Sequence, residues 1–186
     1  MFSESMEVVK IPNERVAVLI GKDGETKKEI ERKGNVKLKV SKEGDVEINS
    51  VNSMDEWKVK EIVKAVGRGF APEKALKLFN DDYYLKIIDL KDIYESDKEI
   101  TRYKGRVIGE KGKAKTVIEE TSGADICIYG DTIGIIGRIE ELALAENAIN
   151  MLLEGASHSR VYSVLERERR KLRESMTAHM WEEKNG

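Results

Sequence analysis

A repeat constrains this chain more than any composition figure does. Gly109-Glu110-Lys111-Gly112 stands 88 positions after Gly21-Lys22-Asp23-Gly24, and the surrounding stretches align at that offset without a gap. Leu19-Ile20 falls on Val107-Ile108, Ile30-Glu31 on Ile118-Glu119, Leu38 and Val40 on Ile126 and Ile128, and Val46 and Ile48 on Gly134 and Ile136. Gly67 likewise falls on Gly155. Identity is low, yet the spacing of apolar and glycine positions holds, as two copies of one supersecondary unit require. A chain of 186 residues has room for two such units.

Each copy has a readable order. Val8 to Ile11 forms a short strand ended by Pro12-Asn13, and Glu14 to Ile20 forms a helix entering the first glycine turn. A second helix runs from Glu25 to Lys33, with Ile30 as its apolar anchor and Gly34 at its end. Val36, Leu38 and Val40 alternate with lysines, the period of a half-buried strand. Glu43-Gly44-Asp45 turns the chain, and Val46 with Ile48 opens the returning strand. Ser53 is expected to cap a helix from Met54 to Val66, with Trp57, Val59, Ile62, Val63 and Val66 as its apolar stripe. Gly67-Arg68-Gly69 stops it.

The second copy opens with a strand at Tyr84 to Leu90 and has a longer stretch, Lys91 to Tyr103, before its glycine turn. It closes with an alanine-rich helix, Ile139 to Leu153. These patterns divide the chain into a first unit over residues 1–70, a helical connector over 71–83, a second unit over 84–155 and a tail over 156–186. In the connector, Pro72 starts a short amphipathic helix. In the tail a helix is expected from about Val161 to Arg173, with the last dozen residues frayed.

Charge and composition narrow the function. With 33 basic against 35 acidic side chains and a net charge of −2, the chain is no uniformly basic nucleic-acid coat. The distribution of charge is what decides nucleic-acid binding. From Thr101 to Lys115, Arg102, Lys104, Arg106, Lys111, Lys113 and Lys115 face one acid, Glu110, a local +5. From Asn13 to Lys28, Arg15, Lys22, Lys27 and Lys28 face Glu14, Asp23 and Glu25, a local +1. Phosphate contacts dominate nucleic-acid affinity, so the second turn is expected to be the main binder.

Other classes find no support. There is no phosphate loop of the Gly-x-x-x-x-Gly-Lys-Ser/Thr type, and Gly67-Arg68-Gly69 lacks the third glycine of a dinucleotide site. His158 and His179 stand without metal-ligand spacing. Glu119-Glu120 and Glu140-Glu141 occupy adjacent helix positions and read as solvated faces. No catalytic residue, metal or cofactor is therefore expected. No apolar run reaches 18 residues, and Met1 to Glu7 is acidic without the apolar core of a signal peptide, so neither a membrane partner nor a leader is expected. The single Cys127 cannot form an internal disulfide and reads as a buried strand residue, which favours a cytoplasmic protein.

Strand, helix, Gly-x-x-Gly, helix, strand, strand, helix, occurring twice, resembles a pair of type I KH domains of α+β class. Gly67-Arg68-Gly69-Phe70 with Ala75-Leu76 and Leu78, and Gly155 followed by Arg160-Val161-Tyr162, narrow the likeness. They are similar to the archaeal partner-of-Nob (Pno/Dim-type) ribosome assembly factors, with Krr-type factors as near neighbours. KH domains hold about four single-stranded nucleotides on the glycine turn and an adjacent apolar groove. The resemblance implies that Arg106, Ile108, Gly109, Glu110, Lys111, Gly112, Lys113, Lys115, Ile126 and Ile128 form an RNA site. A secondary site would be Gly21, Lys22, Asp23, Gly24, Lys27 and Lys28. It implies binding near the 3′ end of small-subunit rRNA beside a Nob-type endonuclease, with a translation initiation factor subunit as a further partner. Acids in both turns, Asp23 and Glu110, depart from the usual basic or neutral pairs. A KH-fold adaptor for translation or ribosomal proteins is the alternative.

Overall fold

The structure, a computed structural model, describes residues 5–185, with side chains over residues 7–177. The chain divides into two compact units, residues 1–89 with 127–136, and residues 90–126 with 137–186.

In the first unit the order is β1 (Ser5–Lys10), α1 (Asn13–Ile20), α2 (Glu25–Gly34), β2 (Lys37–Val40), β3 (Asp45–Ser50) and α3 (Ser53–Gly67). The three strands form an antiparallel sheet ordered β1-β3-β2, with Val9 opposite Val46 and Leu38 opposite Ile48. This is the expected type I KH arrangement. Along β3, Val46 and Ile48 are fully buried while Glu47 and Asn49 are half-exposed, so one face meets the helices. Leu19 of α1, Ile30 of α2 and Val59, Ile62, Val63 and Val66 of α3 complete that core, each without exposed surface. Burying a side chain of this size stabilises by about 1.5–3 kcal/mol before ordering entropy is set against it.

Two details of α3 differ from the sequence reading. The cap is Asn52, whose side chain accepts from the Met54 N–H, one position ahead of Ser53. Trp57 is 53% exposed, because the buried face repeats at 56, 59, 62, 63 and 66, and position 57 lies about 100° round from it. The stripe takes in Glu56 instead.

The connector is ordered. α4 (Pro72–Ala75) leads into one 3-10 turn, Leu76–Phe79, and Phe70, Ala75 and Leu78 join the first unit's core. That unit also contains β4 (Tyr84–Asp89) and the greater part of β5 (Asp125–Tyr129) and β6 (Thr132–Gly137), a second sheet ordered β4-β6-β5. Where the repeat replaces Val46 by Gly134, a Cβ would lie 2.6 Å from the Phe70 ring. Phe70 thus fills the volume the valine side chain would take. Cys127 is half-buried in β5, less covered than expected.

The second unit contains α5 (Asp97–Ile108), α6 (Lys113–Ser122), α7 (Ile139–Leu153) and α8 (His158–Asn185). Ser96 caps α5 by accepting from the Glu99 N–H, and its hydroxyl donates to the Glu99 carboxylate. α8 starts three residues before the expected Val161 and continues to Asn185 where fraying was expected. No glycine or proline interrupts it, and Arg, Glu, Lys, Leu and Met dominate its length. Side chains beyond Thr177, including that of His179, lie outside the described residues.

Candidate nucleic-acid interface

The two glycine turns have the same backbone. Gly21 and Gly109 sit at φ 76°, ψ 174° and φ 74°, ψ 175°, and Gly24 and Gly112 at φ 78°, ψ 14° and φ 78°, ψ 8°. Both first glycines are required. A Cβ on Gly109 would come within 2.6 Å of Ala114, and one on Gly21 within 2.3 Å of Thr26 Oγ1. Gly112 faces open space, so its requirement is the left-handed backbone alone.

The third residue of each turn is also left-handed, Asp23 at φ 53° and Lys111 at φ 49°. Acid and base are exchanged between the turns, and this puts a tolerated aspartate at the strained position of the first and a lysine at that of the second. Such strain costs on the order of 1 kcal/mol and is held by the surrounding fold. Lys111 and Lys113 are both exposed.

Not all of the predicted bases stand with them. In the second unit, Arg106 Nη2 donates to the Ala156 carbonyl, and the Arg106 carbonyl accepts from His158 Nε2 at 2.9 Å. Arg106 therefore ties α5 to the α7–α8 turn. Lys115 pairs with Glu119 at 2.9 Å, which neutralises it locally. Arg102 is exposed and lies 5.1 Å over the Tyr103 ring. Among the apolar candidates Ile108 is 36% exposed at the mouth of the turn, Ile128 is half-buried, and Ile126, 2% exposed, is core.

In the first unit Lys22 is exposed and Lys27 half-buried. Lys28 bends back so that Nζ donates to the Asp23 carbonyl at 3.0 Å. Arg15 is occupied inside the unit: Nε donates to Val66 O at 2.8 Å and Nη2 to Phe70 O at 2.7 Å. Glu14 accepts from the Tyr129 hydroxyl, and this bond, with a smaller contribution from burial, raises the Tyr129 pKa above 10.0.

Residues 6–65 match the family described as KH domain, and residues 84–170 the family described as eukaryotic type KH-domain (KH-domain type I). A KH domain-containing protein of Methanocaldococcus jannaschii is 45% identical over 186 residues, covering 98% of this chain and 82% of the relative. The pre-rRNA-processing protein pno1 of Aspergillus fumigatus is 31% identical over 120 residues, covering 63% of this chain and 48% of the relative. Thus the chain spans about half the length of that eukaryotic relative. Among solved structures, the a/eIF2alpha-aDim2p-rRNA complex from Pyrococcus horikoshii contains a chain 44% identical, with TM-score 0.85, covering 91% of this chain and 97% of that one. This chain belongs to the Pno/Dim-type tandem KH family.

In this Pno/Dim-type chain two glutamates hold the helix after each glycine turn to the strand that follows. Glu31 Oε1 accepts from the Leu38 N–H at 2.9 Å, and Glu119 Oε1 accepts from the Ile126 N–H at 2.8 Å. Glu119 is therefore no merely solvated residue, contrary to what its place in the Glu119-Glu120 pair suggests. The signal was present in the repeat, because Glu31 and Glu119 coincide at the 88-position offset. Among the described residues no cluster of three or more His, Cys, Asp or Glu is placed to hold a metal, and no helix is long and apolar enough to cross a membrane.

Proposed function

We propose that the second glycine turn, Gly109 to Gly112, holds single-stranded rRNA near the 3′ end of the small-subunit molecule during subunit assembly. The observation that carries this reading is Lys111, exposed and left-handed at the apex of a turn whose flanks are net basic. There, open glycine backbone and the exposed ammonium groups of Lys111 and Lys113 accept a phosphate chain, while Ile108 offers an apolar surface to a base. The first turn, with Asp23 at its apex and Lys28 folded back on it, serves as scaffold and secondary contact. The protein acts by capture, without chemistry of its own, and presents or shields the rRNA end for a Nob-type endonuclease. The Pno1 and Dim2p relatives, named for pre-rRNA processing and for an rRNA complex, support this direction. The presence of eIF2alpha in that complex supports a translation initiation factor subunit as a second partner.

The test is binding of short 3′-terminal rRNA oligonucleotides, followed by fluorescence anisotropy. Gly112→Asp adds a negative charge where nothing lies within 4 Å of the new Cβ, but at a left-handed backbone that strains any side chain, so circular dichroism and a thermal melt of each variant verify its folding alongside. It is expected to lower affinity at least about 30-fold, with Gly24→Asp changing it less than about threefold. Equal affinity of parent and Gly112→Asp defeats the reading. An adaptor would instead keep its protein partner through both changes and show no salt-sensitive RNA binding.

A further inference from the structure

α5 carries an aromatic stack that the glycine turn itself does not require. Tyr94 and Tyr103 stack with ring centroids 4.5 Å apart and planes 5° from parallel, and Arg102 Cζ lies 5.1 Å over the Tyr103 ring. The Tyr94 hydroxyl donates to the Leu153 carbonyl at 2.6 Å, which ties the stack to the end of α7. A guanidinium held over an aromatic ring is oriented in advance, so less freedom is lost when a further group settles on it. Arg102 is also exposed, so its guanidinium keeps surface in solvent. This sets it apart from the neighbouring bases: Lys104 is half-buried, and Arg106 donates to the Ala156 carbonyl.

Arg102, Gly105 and Ile108 follow one another at three-residue steps and are all exposed. They trace a strip about 9 Å long that ends at the first glycine of the turn. Gly105 sits inside the helix, where glycine is a poor former, and a Cβ there would meet nothing within 4 Å. Packing therefore does not account for it. What it provides is room for a chain to lie close to the helix backbone. Toward the start of α5 the acids Asp97 and Glu99 close the strip to a phosphate chain. At the 88-position offset the first unit has Glu14, Arg15 and Ala17 in place of Arg102, Tyr103 and Gly105. There Arg15 is spent on the Val66 and Phe70 carbonyls, and Glu14 accepts from the Tyr129 hydroxyl. Only the second unit has the platform.

We propose that the exposed face of Arg102 is a stacking platform for one unpaired nucleobase, next to the nucleotides held at the glycine turn. This builds on the reading of Gly109 to Gly112 as an RNA site and adds a contact outside that turn. A guanidinium backed by two stacked rings presents a plane, and a base matches a plane. A phosphate would be served as well by an unbacked lysine. The base is unpaired because a base inside a duplex has both faces covered by its neighbours.

Fluorescence anisotropy reads this with a 3′-terminal rRNA oligonucleotide of about four nucleotides and with the same sequence lengthened at its 5′ or its 3′ end. The parent is expected to gain about tenfold in affinity on lengthening at one end, and abasic sugar-phosphates in the added positions are expected to lose that gain. Arg102→Lys alters an exposed side chain, keeps the charge and removes the plane. It is expected to leave binding of the short oligonucleotide within about twofold and the salt slope unchanged, and to forfeit about fivefold of the gain on lengthening. No gain at either end overturns the proposal. An abasic extension that binds as tightly as the natural one also overturns it, because the contact is then to phosphate, and so does an Arg102→Lys variant that keeps the full gain. In each of these cases the turn remains an RNA site as long as Gly112→Asp weakens binding of the short oligonucleotide. If Gly112→Asp binds that oligonucleotide as tightly as the parent, the reading of the turn falls and this one falls with it.

Discussion

Gly21-Lys22-Asp23-Gly24 and Gly109-Glu110-Lys111-Gly112 follow one backbone path, with φ of 53° and 49° at the residue before the last glycine. Their surroundings serve different ends. In the first unit Lys28 returns to the turn's own carbonyl, and Arg15 is spent on the end of α3. In the second, Lys111 and Lys113 remain in solvent, while Arg106 and the Tyr94 hydroxyl, 2.6 Å from Leu153 O, secure the end of the closing helix and the turn after it. The comparison teaches that glycine spacing sets the shape of such a turn and the neighbouring side chains decide what it can hold.

The largest test concerns what the units share. Glu31→Ala and Glu119→Ala each remove a charged acceptor from a strand N–H, and each is expected to lower stability by about 2 kcal/mol in urea denaturation. A loss in one unit alone would break the equivalence of the two clamps. Next comes what separates the turns. Lys111→Asp gives the second turn the first turn's apex residue and is expected to weaken oligonucleotide binding about tenfold. A change below twofold would mean that charge at the apex does not distinguish them.

A finer test separates exposed from paired bases. Lys111→Ala is expected to reduce the slope of log affinity against log salt by about 0.7, and Lys115→Ala by much less, because Glu119 already neutralises Lys115. Equal slopes would return Lys115 to the site.

The smallest effect belongs to a device found in the second unit. Tyr94 stacks on Tyr103 at 4.5 Å, and burial first, then the charge of Tyr103, raises its pKa above 10.0. A raised folded-state pKa means that its contribution to stability is complete below pH 10 and lost as pH climbs through the raised value. Tyr94→Phe should remove that alkaline dependence and cost about 1 kcal/mol for the lost hydrogen bond. A phenolate titration at 295 nm with no tyrosine above the ordinary range would refute it.

The sequence by itself determined the elements and their order. Glycines at fixed separation, alternation in Val36 to Val40 and the 88-position offset all report short-range geometry, which the chain carries locally. They located both turns and the identity of Ile108, Lys111 and Lys113. Only the tertiary structure decided which bases stay in solvent. Arg106 and Arg15 find carbonyls 50 and 51 or more positions away, and no local pattern encodes a partner at that distance. Trp57 and Ile126 exchanged their expected roles for the same reason: exposure depends on which elements meet over a residue. The local spacing made two turns alike, and the packing around them left the second with exposed Lys111 and Lys113 while the first keeps exposed Lys22 beside a Lys28 bent back onto the turn.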